Sequence, residues 1–368
     1  MLVGIRCDAS IDIGAGHVMR CITLANALRE HNAMCMFLCR DHDGHLIDMI
    51  RQNGYRVLTL PLHSDANLVS GHTVGHSHWL GASWHVDAED SISALASEIG
   101  HRALDWLVVD HYGLDGRWES LLRASSKRIM AIDDLADRIH DCDLLLDQSL
   151  GRSAVDYDRL APATALLLLG PQYALVRQAF AELRAASRAR REKPCLKQIL
   201  VAMGGVDKDN ATLDVLNTLE SSELPSCITI TVVLGAQAPW IDQVRGRAAQ
   251  MRIPTTVFSG ISDMASLMVD CDLAIGAGGT STWERCALAL PSIMLVLAAN
   301  QKKVAAEMEK AKATIVADAE KPLQDILASW LAGKKVEQNL LEMSNAAAQV
   351  TDGLGVERVV ANMVEFNV

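Results

Sequence analysis

The chain has 368 residues, half of them hydrophobic, and a formal charge of −11. That length exceeds one typical core and fits two α/β domains. The acidic balance argues against nucleic acid or an anionic membrane as a partner, and leaves room for an anionic small substrate held by helix N-termini or local arginines. Charge, Gly or Pro interrupts every long apolar stretch before it reaches the roughly 18 to 20 residues of a membrane span. Met1 to Arg6 lead directly into a strand-like run without the basic, apolar and small-residue order of a secretory signal, so a soluble cytoplasmic protein is expected. The nine cysteines form no CxxC pair, and Cys7, Cys35, Cys227 and Cys271 lie in apolar surroundings. Free thiols are expected rather than a disulfide framework or a zinc site.

Short β-like runs alternate with helical stretches along the chain, the sequence form of βαβ units and parallel sheets. Strands are expected at Leu2–Arg6, Ala33–Leu38, Tyr55–Leu60, Asp105–Val109, Arg128–Ile132, Asp143–Asp147 and Ala165–Leu169. A second series follows at Gln198–Met203, Ile228–Leu234, Thr255–Phe258, Asp272–Ile275, Ile293–Leu297 and Thr314–Val316. The fold class is therefore α/β, two Rossmann-like domains facing across a cleft. Residues 1–176 form the first domain, 177–194 a charged Ala/Arg/Glu connector helix ending at Pro194, 195–335 the second domain, and 336–368 a C-terminal helical segment.

Three segments carry candidate chemistry. The first βα junction reads IRCDASIDIGAGHVMRCITLANALRE, where Val18, Cys21, Ile22, Ala25 and Leu28 form a buried helix face and set His17 at the helix N-terminus. Gly14 and Gly16 permit positive φ and close backbone approach to a ligand, but Met19 stands where a dinucleotide motif has its third glycine, which disfavours nicotinamide or flavin. The helix dipole favours a neutral imidazole able to accept a proton, against the plainer role of a capping or packing histidine. Asp8, at the end of the first strand, is the nearest carboxylate in sequence to orient the ring or cap the turn. Between Leu62 and Asp87 lie His63, His72, His76, His78 and His85. Gly75 interrupts them and no carboxylate or Cys joins at ligand spacing, so a solvated loop is expected rather than a metal site.

The third segment is Gly276-Ala277-Gly278-Gly279-Thr280-Ser281-Thr282-Trp283-Glu284, again a turn between strand and helix. Gly278, Gly279, Thr280 and Ser281 make an anion nest suited to a diphosphate, and Glu284 stands where it can accept hydrogen bonds from ribose hydroxyls. The plain alternative is a tight turn with a surface Glu. Gly204 and Gly205, after the first strand of the second domain, form a weaker nest or an ordinary βα turn.

These segments together resemble the UDP-sugar hydrolases of pseudaminic acid biosynthesis, which act on UDP-2,4-diacetamido-2,4,6-trideoxy-β-L-altropyranose. The resemblance rests on RCDASIDIGAGHVMRCITLA, HWLGASWHVDAED, VVDHYGLDGRWE, IDDLADRIHDCDLLLDQ, GPQYALVR, VAMGGVDKDN and GAGGTSTWERCALALPSIMLVLAANQ. The Gly-rich C-terminal motif also looks like that of inverting GT-B-type glycosyltransferases. The resemblance implies hydrolysis without metal or cofactor, in which water attacks the anomeric carbon and inverts it, releasing UDP and the free sugar. It implies His17 as base, Tyr112 near the sugar, and Glu284 with the Gly-Thr-Ser turn at UDP. Asn300 and Gln301 are implied to face the sugar or a phosphate, with a helix cap as the alternative, and Arg177 the sugar, with an ion pair as the alternative. A monomer or weak oligomer is expected. A UDP-sugar-dependent glycosyltransferase and a non-catalytic UDP-sugar binder remain alternatives. The His-rich stretch looks longer than that family's core requires, and the chain beyond Val336 has little diagnostic content.

Overall fold

The computed structural model describes residues 1–63, 75–332 and 335–366. Seven parallel strands form the first sheet: β1 (Leu2–Cys7), β2 (Met34–Arg40), β3 (Arg56–Leu60), β4 (Trp106–Asp110), β5 (Ile129–Ile132), β6 (Leu144–Asp147) and β7 (Leu166–Leu169). Six more form the second: β8 (Gln198–Ala202), β9 (Thr229–Leu234), β10 (Thr255–Ser259), β11 (Leu273–Ala277), β12 (Ser292–Leu295) and β13 (Ile315–Ala317). Each coincides with an expected run to within a few residues. Helices cover both faces of a parallel sheet, so its strands read as unbroken apolar stretches, as in Leu144–Leu146 and Leu107–Val109.

Strand order places the functional ends. The first sheet runs β3-β2-β1-β4-β5-β6-β7 and the second β10-β9-β8-β11-β12-β13. In each, the chain winds one way from one central strand and the other way from its neighbour, so the order reverses between β1 and β4 and between β8 and β11. Ligands of open α/β sheets bind outside the carboxyl ends of the strands at such a switch point. His17 follows β1, Tyr112 follows β4, Gly204 follows β8 and the Gly276–Glu284 turn leaves β11.

Contacts divide the chain into one unit of Met1–Leu175 with Val356–Val368 and another of Val176–Gly355. Stretch 177–194, expected as a connector, falls in the second unit. Its helix Gln178–Arg191 is docked by arginines: Arg184 donates to Ala287 O (2.6 Å), Ala348 O (2.6 Å) and Thr351 O (2.9 Å). These are the orphan carbonyls at the ends of two other helices, which cationic side chains satisfy. Of residues 336–368, the helix Val336–Val350 stays with the second unit. The helix Gly355–Glu365 buries Val356, Val359, Val360 and Met363 in the core of the first, where Trp106 Nε1 donates to Met363 O (3.2 Å).

The expectation of a solvated loop from Leu62 to Asp87 needs correction over its described part. Ser77–Leu80 form a 3₁₀ turn with Leu80 buried, and the helix Trp84–Ile99 is capped by Ser83, whose hydroxyl accepts from Val86 N. Asp87 is fully buried between two guanidiniums, with Arg6 Nη2 at 2.7 Å and Arg40 Nη2 at 2.6 Å, and it accepts from Trp118 Nε1 at 3.0 Å. Two buried cations on β1 and β2 require a buried anion, and this helix supplies it. His72 lies outside the described residues. Among those described, no group of three or more His, Cys, Asp or Glu is arranged to hold a metal ion.

Candidate functional site

The turn after β1 is built by backbone. Ser10 Oγ accepts from Asp12 N (3.1 Å) and Ile13 N (3.0 Å), and Gly14 N donates to Ser10 O (2.8 Å). Gly14 has φ +80° and nothing within 4 Å of an added Cβ, so backbone conformation rather than space calls for glycine there. Gly16, expected to share that freedom, is instead the first residue of the helix Gly16–Glu30 and is absent from the residues with positive φ.

His17 is the next residue, 6% exposed. Its Nδ1 lies 2.6 Å from Asp110 Oδ1 at the end of β4, and Arg20, one helical turn on, donates to both oxygens of that carboxylate (2.6 and 2.7 Å). Burial alone would raise the Asp110 pKa, but Arg20 and His17 outweigh it and hold the group well below the usual carboxylate range. An ionised carboxylate only accepts, so the neutral imidazole carries its proton on Nδ1 and leaves the Nε2 lone pair available. Nε2 has no hydrogen-bond partner among the described residues. This is the arrangement of a histidine base with an orienting acid.

Two further residues close the cluster. Tyr112 sets its ring edge-on to His17 (centroids 4.6 Å apart, planes at 83°) and donates its hydroxyl to Asp134 Oδ2 (2.8 Å), the oxygen that also accepts from Arg20 Nη1 (2.6 Å). Burial and Asp134 push the Tyr112 hydroxyl well above its ordinary pKa, so it stays a donor. His17, Asp110, Arg20, Asp134 and Tyr112 thus form one connected circuit.

Asp8 has a different place from the one expected. It is fully buried with Arg6 Nη1 2.7 Å from Oδ1, accepts from Arg40 N (2.7 Å), and has the Nε2 atoms of His42 and His111 each 3.5 Å from Oδ2. Burial would raise its pKa, but Arg6 and the two histidines hold it below the ordinary range. Asp110 orients His17, and Asp8 neutralises Arg6.

In the second unit the glycines mark close packing. A Cβ on Gly276 would meet Ala202 O at 2.7 Å and Arg285 Nη1 at 2.9 Å, and one on Gly278 would meet Gln301 Cβ at 3.2 Å. Gly204 takes φ +101°, and Gly205 O fills the space where Gly235 would carry a Cβ. Thr280 precedes the helix Ser281–Ala287, and Thr282 Oγ1 accepts from Gly279 N (3.3 Å).

Beneath this turn lies Arg285, 2% exposed, donating to Ala277 O (3.1 Å), Ser281 Oγ (3.2 Å) and Thr282 Oγ1 (3.2 Å). No carboxylate is paired with it among the described residues, and burial lowers its pKa. The turn therefore sits over a buried cation on which the neighbouring carboxylate of Glu284 acts through space and not, among the described residues, by a hydrogen bond.

Glu284 Oε1 accepts from Arg177 Nε (3.2 Å) and Nη2 (2.9 Å), and Arg177 Nη1 reaches Ser262 O (3.3 Å). Arg177 is thus an ion-pair residue of the Gly-rich turn. Asn300 is exposed, whereas Gln301 caps its own turn, its Oε1 accepting from Leu297 N (2.9 Å). Sequence reasoning missed Arg20, Asp110, Asp134 and Arg285. The first and last are arginines on the buried sides of their helices, Arg20 meeting the carboxylates of Asp110 and Asp134 and Arg285 meeting hydroxyl and backbone oxygens.

Residues 198–359 match the glycosyltransferase family 28 C-terminal domain. The chain has a GT-B-like fold. MurG of Acinetobacter baumannii superposes with TM-score 0.64 at 14% identity, covering 99% of both chains. The chain is similar to the UDP-2,4-diacetamido-2,4,6-trideoxy-beta-L-altropyranose hydrolase of Campylobacter jejuni, 25% identical over 311 residues, which is 84% of this chain and 97% of that one. An uncharacterized protein of Methanocaldococcus jannaschii is 24% identical over 299 residues, 80% of this chain, and the chain spans only 55% of that relative's length. No described helix is long and apolar enough to cross a membrane.

Proposed function

We propose that this protein hydrolyses UDP-2,4-diacetamido-2,4,6-trideoxy-β-L-altropyranose to UDP and the free sugar, a cytoplasmic step of pseudaminic acid biosynthesis needing no metal or cofactor. The observation that carries the reading is the His17–Asp110 pair at the carboxyl ends of β1 and β4, with Nε2 left without a partner among the described residues. In the proposed reaction a water oxygen attacks the anomeric carbon and its proton passes to His17 Nε2. The bond from that carbon to the β-phosphate oxygen breaks on the opposite face, so the centre inverts. UDP leaves with the electron pair. A diphosphate is already a good leaving group, so orientation and one proton acceptor suffice.

We assign UDP to the second unit, at Gly278, Gly279, Thr280, Ser281 and Glu284 with Gly204 and Gly205 beside them, and the sugar with its water to the turn at Gly14–His17 and to Tyr112. The charge of Arg285 supports a diphosphate there. Asn300, exposed beside the turn, is assigned to the sugar or phosphate. Incubation with UDP-linked diacetamido-trideoxyhexoses in oxygen-18 water tests the proposal. Label in the sugar is expected; label in UDP, or no UDP release, overturns it.

The family 28 domain favours a second reading, transfer to a sugar or lipid hydroxyl by the same site. Turnover in water alone that is negligible, and restored by an added acceptor, would select it.

A further inference from the structure

Around Tyr112 the first unit carries more aromatic surface than holding that ring requires. Trp79 lies nearly parallel to Tyr112 (centroids 5.8 Å, planes at 24°), and His76 packs 4.4 Å from Trp79 and 5.7 Å from Tyr112. With the His17–Tyr112 contact of 4.6 Å, four rings run continuously from the base to the partly exposed Trp79. Tyr112 is already held by its hydroxyl on Asp134 (2.8 Å) and has Arg138 5.7 Å from its ring centre. His76 stands in left-handed backbone, φ +66°, at the N-terminal end of the Ser77–Leu80 turn that carries Trp79. Partial burial and His78 lower the pKa of His76, so it presents an uncharged ring to the cluster.

We infer that Trp79, backed by His76, is a specificity-determining residue: its indole packs against the apolar face of a deoxygenated, N-acetylated hexose whose anomeric carbon faces His17. The inference rests on the hydrolase reading and names what that site selects. A deoxy position and acetamido methyl groups give such a sugar an apolar side that a fully hydroxylated hexose lacks. A flat, partly exposed indole stacked on the Tyr112 ring, which itself meets the base, buries that side without demanding hydrogen bonds. Of the neighbouring polar groups, Asp110, Arg20 and Asp134 Oδ2 are engaged with one another, and only the buried Asp134 Oδ1 lacks a partner among the described residues.

Trp79→Ala and Trp79→Phe are compared with the wild type, using the diacetamido-trideoxy UDP-sugar, UDP-N-acetylglucosamine, UDP and the free diacetamido-trideoxyhexose. Loss of one aromatic contact predicts a rise in KM of about tenfold in Trp79→Ala with kcat changed less than about threefold, and substantial recovery in Trp79→Phe. UDP inhibition is expected to stay unchanged, and preference over UDP-N-acetylglucosamine to narrow. A fall in kcat at constant KM would show that Trp79 only props Tyr112, and would overturn the inference. So would unchanged KM and preference. Binding of the free sugar, followed by ligand NMR, separates this proposal from the hydrolase reading. If the wild type releases no UDP yet binds the sugar, and Trp79→Ala loses that binding, the reaction is wrong and the Trp79 contact stands. If both proteins bind it equally, the Trp79 contact is wrong whatever the reaction.

Discussion

Replacing Asp110 by Asn changes one atom at the end of β4 and two interactions at once. The carboxylate that accepts from His17 Nδ1 at 2.6 Å becomes an amide able to donate to it, so the neutral ring moves its proton to Nε2 and loses the lone pair that faces the reaction. Arg20 keeps its bond to Asp134 at 2.6 Å but loses the charge of its main partner. A positioned general base contributes about 10²- to 10⁴-fold, so kcat is expected to fall by that factor, equivalent to roughly 3 to 5 kcal/mol of barrier. KM should change little, because neither atom is proposed to hold the ground-state sugar. Leaving a buried guanidinium short of its counter-charge is strongly destabilising, by about 3 to 5 kcal/mol where nothing compensates, and here Asp134 and the amide oxygen offset part of it. Rates are therefore read by UDP release well below the variant's melting temperature, which circular dichroism supplies. The double variant with His17→Asn should be hardly slower than either single variant, because the two residues act as one unit. A folded Asp110→Asn protein with kcat within threefold of the wild type, or fully additive losses, would refute the reasoning.

Arg285→Met removes the buried cation beneath the Gly-rich turn, and UDP affinity measured by calorimetry is expected to drop about tenfold or more with the protein still folded. An unchanged dissociation constant would dismiss the electrostatic role. Gly14→Ala meets no atom within 4 Å but must hold φ +80°, so urea unfolding should show a loss of about 1 to 2 kcal/mol, with a smaller loss for Gly14→Asn. Equal losses would point to contacts rather than backbone. His140, buried against Glu119 Oε1 at 2.8 Å, opposes burial's lowering effect with that carboxylate and Asp133, and its pKa is raised to about 9. Its stabilising contribution is full below the unfolded value near 6.5 and is lost as pH rises through 9. Melting temperatures from pH 6 to 9.5 should fall along that limb, and His140→Gln should flatten it.

The sequence by itself determined the two sheets. Buried parallel strands are unbroken apolar runs, so all thirteen described strands coincide with runs visible in the chain. It also showed where the backbone turns tightly before a helix, because glycines and hydroxyls at Gly276–Ser281, and Gly14 with His17, are local features set by φ, ψ and helix ends. Which carboxylate meets His17 was not local. Asp110 ends β4 and Asp8 directly follows β1, whose last residue, Cys7, is the register partner of Asp110, so neighbouring strands offer adjacent acids to one turn. Alternation along the strand sends consecutive side chains to opposite faces. Asp8 goes to Arg6, and Asp110, 93 residues from His17 in sequence, goes to the imidazole. Asp87 under Arg6 and Arg40, the return of Val356–Met363 to the first core, and the pairing of Arg177 with Glu284 were decided in the same way. Each is an exchange between distant segments, in which burial leaves a charge or an apolar face that only the folded chain can supply with a partner.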